Sequence, residues 1–277
     1  MPIHEVLDDL AAALAASNAA VLAAPPGAGK TTVVPLSLLD APWLEGRKIL
    51  LLEPRRLAAR AAAERMAATL KQQPGETVGY RTRMQSRVSR ETRVEVVTEG
   101  IFTRMILEDP GLDGIGAVLF DEFHERSLDA DLGLALARET QGLLRDDLRI
   151  LVMSATLDIA GVSALLEGAP VIETRGRMFP VETRYLGRNP AERIEEAASR
   201  AVLKALGEET GSVLVFLPGQ AEIRRTHERL AERVRDPSVS LEPLYSALDR
   251  AAQDGPSSRR PRAHARWCWP RPSPRPA

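Results

Sequence analysis

A glycine-rich segment that ends in lysine and threonine has the clearest chemistry in this chain: Pro25-Pro26-Gly27-Ala28-Gly29-Lys30-Thr31-Thr32. It follows an apolar run at residues 19–23 and precedes residues with helical spacing. Glycines let backbone N–H groups approach an anion, and the positive end of the following helix faces the same point. Lys30 adds a charge toward the β- and γ-phosphates of a nucleotide, and the Thr31 hydroxyl reaches Mg²⁺. The segment therefore predicts a P-loop that binds ATP or another NTP through Pro26, Gly27, Ala28, Gly29, Lys30, Thr31 and Thr32.

One residue departs from the strict P-loop pattern, G-x-x-x-x-G-K-[ST]. The pattern has glycine where this chain has Ala24. Alanine is tolerated there if the backbone is extended, because the extended region is open to every L-residue. An ordinary glycine turn before a helix is the alternative interpretation, and the intact Gly29-Lys30-Thr31 disfavours it.

Two adjacent carboxylates follow a second apolar run, Val118-Leu119-Phe120-Asp121-Glu122. In a P-loop protein such a pair forms the other half of the nucleotide site. Asp121 is predicted to hold Mg²⁺, and Glu122 to act as the general base that polarises the attacking water. Acidic residues are also common at solvated strand ends, but the upstream P-loop favours the catalytic interpretation.

Strands and helices alternate through residues 1–175. Several strands are continuous apolar runs, which is typical of a parallel sheet covered on both faces. The pattern predicts a doubly wound α/β domain that binds its ligand at the carboxyl ends of the strands. Predicted strands lie at about 19–23, 47–53, 76–81, 93–98, 115–120 and 148–153, and predicted helices at about 30–40, 55–71, 99–108 and 127–143.

A second α/β region occupies residues 178–254, with too few strands to close a stable sheet. The pattern predicts strands at 181–186, 212–217 and 239–244 and helices at about 191–206 and 219–234. Residues 255–277 then change character, with six arginines, six prolines and no Asp, Glu, Lys, Val, Ile or Leu. We expect this tail to be disordered.

The tail has two interpretations. It is either a basic nucleic-acid-binding tail or, as we prefer, a translated frameshift. Trp267-Cys268-Trp269-Pro270, read one nucleotide earlier, forces Val-Leu-Ala, and the next six codons permit Thr-Ser-Ile-Ala-Glu-Thr.

Bulk composition excludes several classes of protein. The chain has 277 residues, 44% of them hydrophobic and 27% charged, with a net charge of −1, as in a globular domain. We expect no membrane span, because the longest apolar runs fall short of about 18 residues. Met1-Pro2-Ile3-His4-Glu5 does not resemble a signal peptide, and Cys268 is a single cysteine, so a cytoplasmic location is expected.

Several short segments together resemble a known family. Asp121-Glu122-Phe123-His124 is similar to the D-E-x-H box of superfamily-two RNA helicases, and the longer run 121–128 resembles the bacterial HrpB-type DEAH-box ATP-dependent helicases. Other motifs of this family follow in the expected order: Glu53-Pro54-Arg55-Arg56 (Ia), Thr98-Glu99-Gly100 (Ib), Ser154-Ala155-Thr156 (III) and residues 215–219 (IV). The resemblance covers residues 1 to about 254. It implies a RecA-like ATP-binding domain at 1–175 and an incomplete second RecA-like domain at 178–254.

The resemblance assigns roles to these motifs. Arg55, Arg56, Thr98, Glu99 and Gly100 would contact single-stranded nucleic acid. In support, guanidinium groups, a hydroxyl and helix N-termini at strand ends can bind phosphates. Solvated helix starts and ordinary caps are the alternatives. In addition, the resemblance implies that His124 bridges the two sites, and that Ser154 and Thr156 couple the nucleotide site to the second domain.

The function expected from the resemblance is that of an ATP-dependent helicase, using NTP and Mg²⁺ and acting on single-stranded nucleic acid, with RNA the favoured partner. Motifs V and VI of the family are missing from the chain as translated, so impaired activity is expected. A nucleotide-binding module without turnover is the alternative from another class. A P-loop metabolic kinase is a third, disfavoured by the D-E-x-H box and by Ser154-Ala155-Thr156.

Overall fold

The computed structural model describes residues 2–155, 159–174, 180–187, 189–245 and 264–268. The chain divides into two compact units, Met1–Phe179 and Pro180–Ala277. The strands of the first unit are β1 (Ala19–Ala23), β2 (Lys48–Glu53), β3 (Val78–Arg81), β4 (Ser86–Arg87), β5 (Val94–Thr98), β6 (Ile115–Phe120), β7 (Arg149–Ser154) and β8 (Val171–Glu173). They form one sheet in the order β4-β3-β5-β2-β6-β7-β1-β8, parallel except for the β3–β4 pair.

Helices cover both faces of this sheet, as the continuous apolar strands predict. They are α1 (Leu7–Ala16), α2 (Lys30–Ser37), α3 (Arg56–Thr69), α4 (Glu99–Glu108), α5 (Leu128–Leu143) and α6 (Ile159–Leu165). Side chains of β2 alternate between two cores. Ile49 and Leu51 pack with α1, α2 and α3, while Leu50 and Leu52 pack with α4, α5 and α6. The prediction of a doubly wound, mostly parallel α/β domain is confirmed.

The strand register brings the candidate segments to one edge. Glu53 of β2 is level with Thr98 of β5, Leu52 is level with Phe120 of β6, and Ala23 of β1 is level with Ser154 of β7. Because parallel strands end on the same side, the segments that follow them all emerge at the carboxyl edge. The sheet order places the segments after β5 and β2 on one side of β6 and those after β7 and β1 on the other.

The second unit contains α7 (Ile194–Glu208), β9 (Val213–Phe216), α8 (Gln220–Ala231), β10 (Ser240–Glu242) and β11 (His264–Cys268). The predicted strand at 181–186 is wrong: these residues form no strand, and Val181 and Tyr185 are 88% and 93% exposed. An alternating sequence forms a strand only where a neighbouring strand offers its backbone hydrogen bonds, and none in the described residues pairs with this segment.

The expected disorder of the tail is wrong at five residues. His264–Cys268 form β11, which lies between β10 and β9 and runs parallel to both. The prediction rested on composition, which indicates how much apolar surface a segment can bury. The hydrogen bonds between strands use backbone groups instead, and any stretch without proline supplies them. Residues 262–269 are the longest such stretch of the tail, between Pro261 and Pro270. The rest of 246–277 lies outside the described residues.

Candidate nucleotide site

The glycine-rich loop leaves β1 and turns directly into α2. Gly27 and Gly29 have φ values of +76° and +103°, which favour glycine, and Gly29 is the N-cap of α2. Lys30 opens the helix and is only 3% exposed. Its Nζ donates to the carbonyl oxygens of Ala24 and Pro25, at 2.8 and 3.5 Å. The loop thus curves around the ammonium group of Lys30 and holds it by these two hydrogen bonds.

Ala24, the departure from the strict pattern, fits this loop. Its side chain is buried, and its N–H donates to the Ser154 carbonyl at 3.0 Å. The backbone at Ala24 therefore continues the β1–β7 ladder, so it needs no glycine. The same hydrogen bond joins the start of the P-loop to Ser154.

The two predicted metal ligands lie in contact. The Thr31 hydroxyl donates to Asp121 Oδ2, although the two residues are 90 positions apart in the sequence. The other oxygen, Oδ1, accepts the Glu122 N–H at 2.8 Å. Burial raises the pKa of Asp121, while the Thr31 hydrogen bond and the charge of Lys30 act in the opposite direction.

Glu122 begins a tight turn that its neighbours hold in place. Its φ is +49°, in the left-handed region, and a 3₁₀ turn follows at Phe123–Glu125. His124 Nε2 lies 3.4 Å from Glu122 Oε2, while His124 Nδ1 accepts the Ala155 N–H at 3.3 Å. His124 therefore joins the candidate base to the segment after β7. Thr156, the other predicted coupling residue of that segment, lies outside the described residues.

Aromatic packing fixes the same turn to the core. Phe123 is 3% exposed and packs edge-on against Phe120, which packs edge-on against Phe102 of α4. The Arg126 guanidinium lies over the Phe123 ring, 5.5 Å from its centre. Since Phe123 separates Glu122 from His124, its burial limits how far either side chain can move.

Glu53, the first residue of motif Ia, belongs to the nucleotide site, a role that the sequence did not reveal. It ends the apolar strand β2, is 3% exposed and hydrogen-bonds Asp121. Burial, followed by the charges of Asp121 and Glu122, raises the pKa of Glu53 to about 9. At neutral pH Glu53 is therefore a neutral acid that supports the Asp121 carboxylate. The available signal was a lone carboxylate closing the otherwise apolar run Ile49-Leu50-Leu51-Leu52-Glu53.

The segments predicted to contact nucleic acid lie beside this site, after β2 and β5. Arg55 and Arg56 are exposed at the start of α3, and Gly100 is exposed in the first turn of α4. Thr98 is the N-cap of α4 and has no side-chain capping bond.

Two of these segments reach the turn that follows Glu122. Arg55 Nη2 donates to Glu125 Oε1 at 2.8 Å, and the Ser127 hydroxyl donates to Glu99 Oε2 at 2.6 Å. Ser127 also caps α5 by accepting the Ala130 N–H at 2.9 Å. Arg55 and Glu99 therefore contact the segment that holds the candidate base.

A family model for the DEAD/DEAH box helicases matches residues 7–165, the part of the chain that builds this site. The chain belongs to the DEAD/DEAH box helicase family. Its relatives include the ATP-dependent RNA helicase HrpB of Escherichia coli (strain K12), which is 52% identical over 248 residues, 90% of this chain and 30% of that protein. The ATP-dependent RNA helicase HrpA of the same organism is 34% identical over 263 residues, 92% of this chain and 20% of that protein.

Solved helicase structures agree with this membership. The crystal structure of the E. coli DEAH/RHA helicase HrpB matches with a TM-score of 0.90 and 48% identity, over 97% of this chain and 34% of that one. A second, of the E. coli DExH-box NTPase HrpB, has a TM-score of 0.78 and 48% identity, over 96% of this chain and 33% of that one. The predicted RecA-like fold is thus confirmed, and the chain spans about a third or less of these helicases. No helix among the described residues is long and apolar enough to cross a membrane.

Proposed function

We propose that this chain carries the nucleotide-hydrolysing core of an ATP-dependent RNA helicase. The contact between the Thr31 hydroxyl and the Asp121 carboxylate is the main support, because it unites the P-loop with the D-E-x-H box. Lys30 lies on the P-loop side of this contact and Glu122 on the other, as hydrolysis of a phosphoanhydride requires.

The donors at this contact suit Mg²⁺. Thr31 and Asp121 offer oxygen atoms, which this hard cation prefers. Within the described residues no group of three or more His, Cys, Asp and Glu could hold a metal ion. That agrees with a metal that takes one or two protein oxygens and completes its shell with water and phosphates. When bound, Mg²⁺ would neutralise charge on the phosphates of the nucleotide.

The protein's own groups divide the remaining work. Lys30 and the loop N–H groups bind phosphate oxygens. Glu122 accepts the proton of the attacking water, a role that typically contributes about 10²–10⁴-fold in rate. His124 orients Glu122 through its Nε2 atom, since its other ring nitrogen is held by the Ala155 N–H. Glu53 shields the charge of Asp121 with a neutral hydrogen bond.

RNA is the substrate class that we propose for the segments after β2 and β5. Two relatives carry the name ATP-dependent RNA helicase. Arg55 and Arg56 are exposed beside the N-terminus of α3, where phosphates bind favourably. We also propose a cytoplasmic location, which cell fractionation with an antibody to this chain would test.

The test measures nucleotide binding and turnover of the purified chain. A fluorescent ATP analogue is titrated with Mg²⁺ or with EDTA, and phosphate release is followed with single-stranded RNA, with DNA of the same sequence and with neither. We expect Mg²⁺-dependent binding and a low turnover that RNA increases, in keeping with the impaired activity expected from the sequence. Binding without turnover in every condition would favour a nucleotide-binding module, and transfer of phosphate to a small molecule would favour a kinase.

A further inference from the structure

The turn from Glu122 to Ser127, which we name the catalytic turn, is tied to both segments proposed to bind nucleic acid. Glu125 accepts a hydrogen bond from Arg55 after β2, and Ser127 donates one to Glu99 at the start of α4. The nucleotide site and the nucleic-acid segments of this unit are therefore joined by two defined side-chain contacts.

The two ties differ in strength. The Arg55–Glu125 pair lies at the surface, with the side chains 61% and 36% exposed. Exposed ion pairs contribute little, so a phosphate can replace the carboxylate as the partner of Arg55. The Ser127–Glu99 bond is shorter, at 2.6 Å, and Ser127 also caps α5. One tie can thus be released by a ligand while the other stays fixed.

The chemistry of Glu99 argues against a contact with nucleic acid. Its carboxylate would repel a backbone phosphate. The side chain is half-buried, its Oε2 accepts the Ser127 hydroxyl, and burial raises its pKa. Glu99 is therefore better suited to hold the catalytic turn than to bind the substrate.

The backbone of the catalytic turn is tightly constrained. Glu122 and Arg126 both have φ values in the left-handed region, +49° and +44°, which few backbone arrangements accommodate. Phe123 is buried between them and His124 contacts Glu122. Because the turn has so little freedom, the hydrogen bonds made by Glu125 help to set the position of Glu122, three residues earlier.

We propose that Glu125 and Ser127 are positioning residues through which single-stranded RNA acts on the general base Glu122. An RNA phosphate replaces the Glu125 carboxylate as the partner of Arg55, while the Ser127–Glu99 hydrogen bond keeps the other end of the turn in place. The inference rests on the proposed function, because it requires that both nucleotide and RNA bind to this unit.

The chain offers a matched control for the Arg55–Glu125 ion pair. Arg126 Nη2 pairs with Asp131 at 2.9 Å, and these side chains are 57% and 39% exposed. This pair involves the same turn, carries the same charges and has nearly the same exposure as Arg55–Glu125, and the charge of Asp131, like that of Glu125, raises the pKa of Glu99. Within the described residues, however, no hydrogen bond joins this pair to either nucleic-acid segment. Asp131→Ala therefore removes an equivalent negative charge without touching Arg55.

The experiment compares Glu125→Ala with Asp131→Ala, using a labelled single-stranded oligoribonucleotide and fluorescence anisotropy. Each titration is run without nucleotide and with Mg²⁺ and a non-hydrolysable ATP analogue. Without nucleotide, Glu125→Ala should bind RNA about 1.5- to 5-fold more tightly, the range set by an exposed ion pair. The factor by which nucleotide changes RNA affinity should fall toward 1 in Glu125→Ala and keep its wild-type value in Asp131→Ala.

The Ser127–Glu99 hydrogen bond is tested with variants that keep the N-cap of α5. Ser127→Asp still accepts the Ala130 N–H but cannot donate to Glu99, so it should lose the coupling between nucleotide and RNA. Glu99→Gln keeps an acceptor oxygen for the Ser127 hydroxyl and should therefore retain the coupling between nucleotide and RNA. Thermal melts establish that each variant is folded, and Glu125→Gln, which keeps a weaker bond to Arg55, replaces Glu125→Ala if that variant does not fold.

The outcomes separate this inference from the proposed function. Failure of the wild type to bind nucleotide or RNA would overturn the proposed function. If the wild type binds both, the inference is overturned by either of two results: no coupling in the wild type, or the same RNA affinity and coupling in Glu125→Ala and Asp131→Ala.

Discussion

Replacing Lys30 with alanine should remove most of the affinity of this chain for ATP. Lys30 is 3% exposed and lies at the first position of α2. Its Nζ is held by two loop carbonyls, Ala24 O at 2.8 Å and Pro25 O at 3.5 Å. The ammonium group is thus fixed where phosphate oxygens would meet the loop N–H groups.

The structure sets the size of the effect. A hydrogen bond to a charged group contributes about 1.5–3 kcal/mol. Loss of one such bond to phosphate would weaken binding about 10- to 150-fold, and loss of two would multiply those factors. The fold should survive. The truncation leaves the Ala24 carbonyl without its side-chain donor, a cost of about 1–3 kcal/mol, while the Pro25 carbonyl still accepts the Ala28 N–H at 3.2 Å.

The assay is a titration of a fluorescent ATP analogue in the presence of Mg²⁺, run well below the melting temperature. Lys204→Ala is the control, since that lysine is 53% exposed and lies on α7 of the second unit. We expect the control to match the wild type. Equal nucleotide affinity in Lys30→Ala and the wild type, with both proteins folded, would refute the P-loop assignment.

Four further outcomes are expected. Glu122→Gln should keep Mg²⁺–ATP binding and lose about 10²–10⁴-fold of any turnover, measured as phosphate release. Asp121→Asn should instead weaken the Mg²⁺-dependent part of binding; equal losses of metal-dependent affinity in the two variants would contradict the division of roles. Because the pKa of Glu53 is about 9 in the folded chain against 4.5 ordinarily, the folded state holds the extra proton, and stability should fall as pH rises between these values, by up to about 1.4 kcal/mol per pH unit. Thermal melts in EDTA from pH 6 to 8.5 should show that stability falls less steeply with pH in Glu53→Gln than in the wild type. Identical slopes in the two proteins would contradict a buried, neutral Glu53. Sequencing the gene should reveal Val-Leu-Ala-Thr-Ser-Ile-Ala-Glu-Thr in the alternative frame from codon 267 onward, and otherwise the basic-tail interpretation stands.

Most elements of the first unit could be predicted within one or two residues at each end. β2, β6 and β7 are continuous apolar runs that end at polar residues. The residues of each run and its neighbours therefore predict both that it is a strand and where it begins and ends. The helices α1 and α6 were not predicted, and neither were the short strands, β4 and β8. Their two and three residues carry too little pattern, and only the neighbouring strands make them part of the sheet.

The candidate site divides in the same way. Residue types and order along the chain predicted the P-loop and the D-E-x-H box. The sequence did not predict that Glu53 would be buried against Asp121, or that Arg55 and Glu99 would reach Glu125 and Ser127.

The sequence by itself determined which groups could bind phosphate and metal, because a glycine's freedom, a lysine's charge and a strand's apolar run are properties of neighbouring residues. Only the tertiary structure decided which of those groups meet. Thr31 contacts Asp121 across 90 positions because parallel strands bring their ends to one edge. The pKa of Glu53 likewise depends on burial and on charges that other strands bring to it, which no local pattern records.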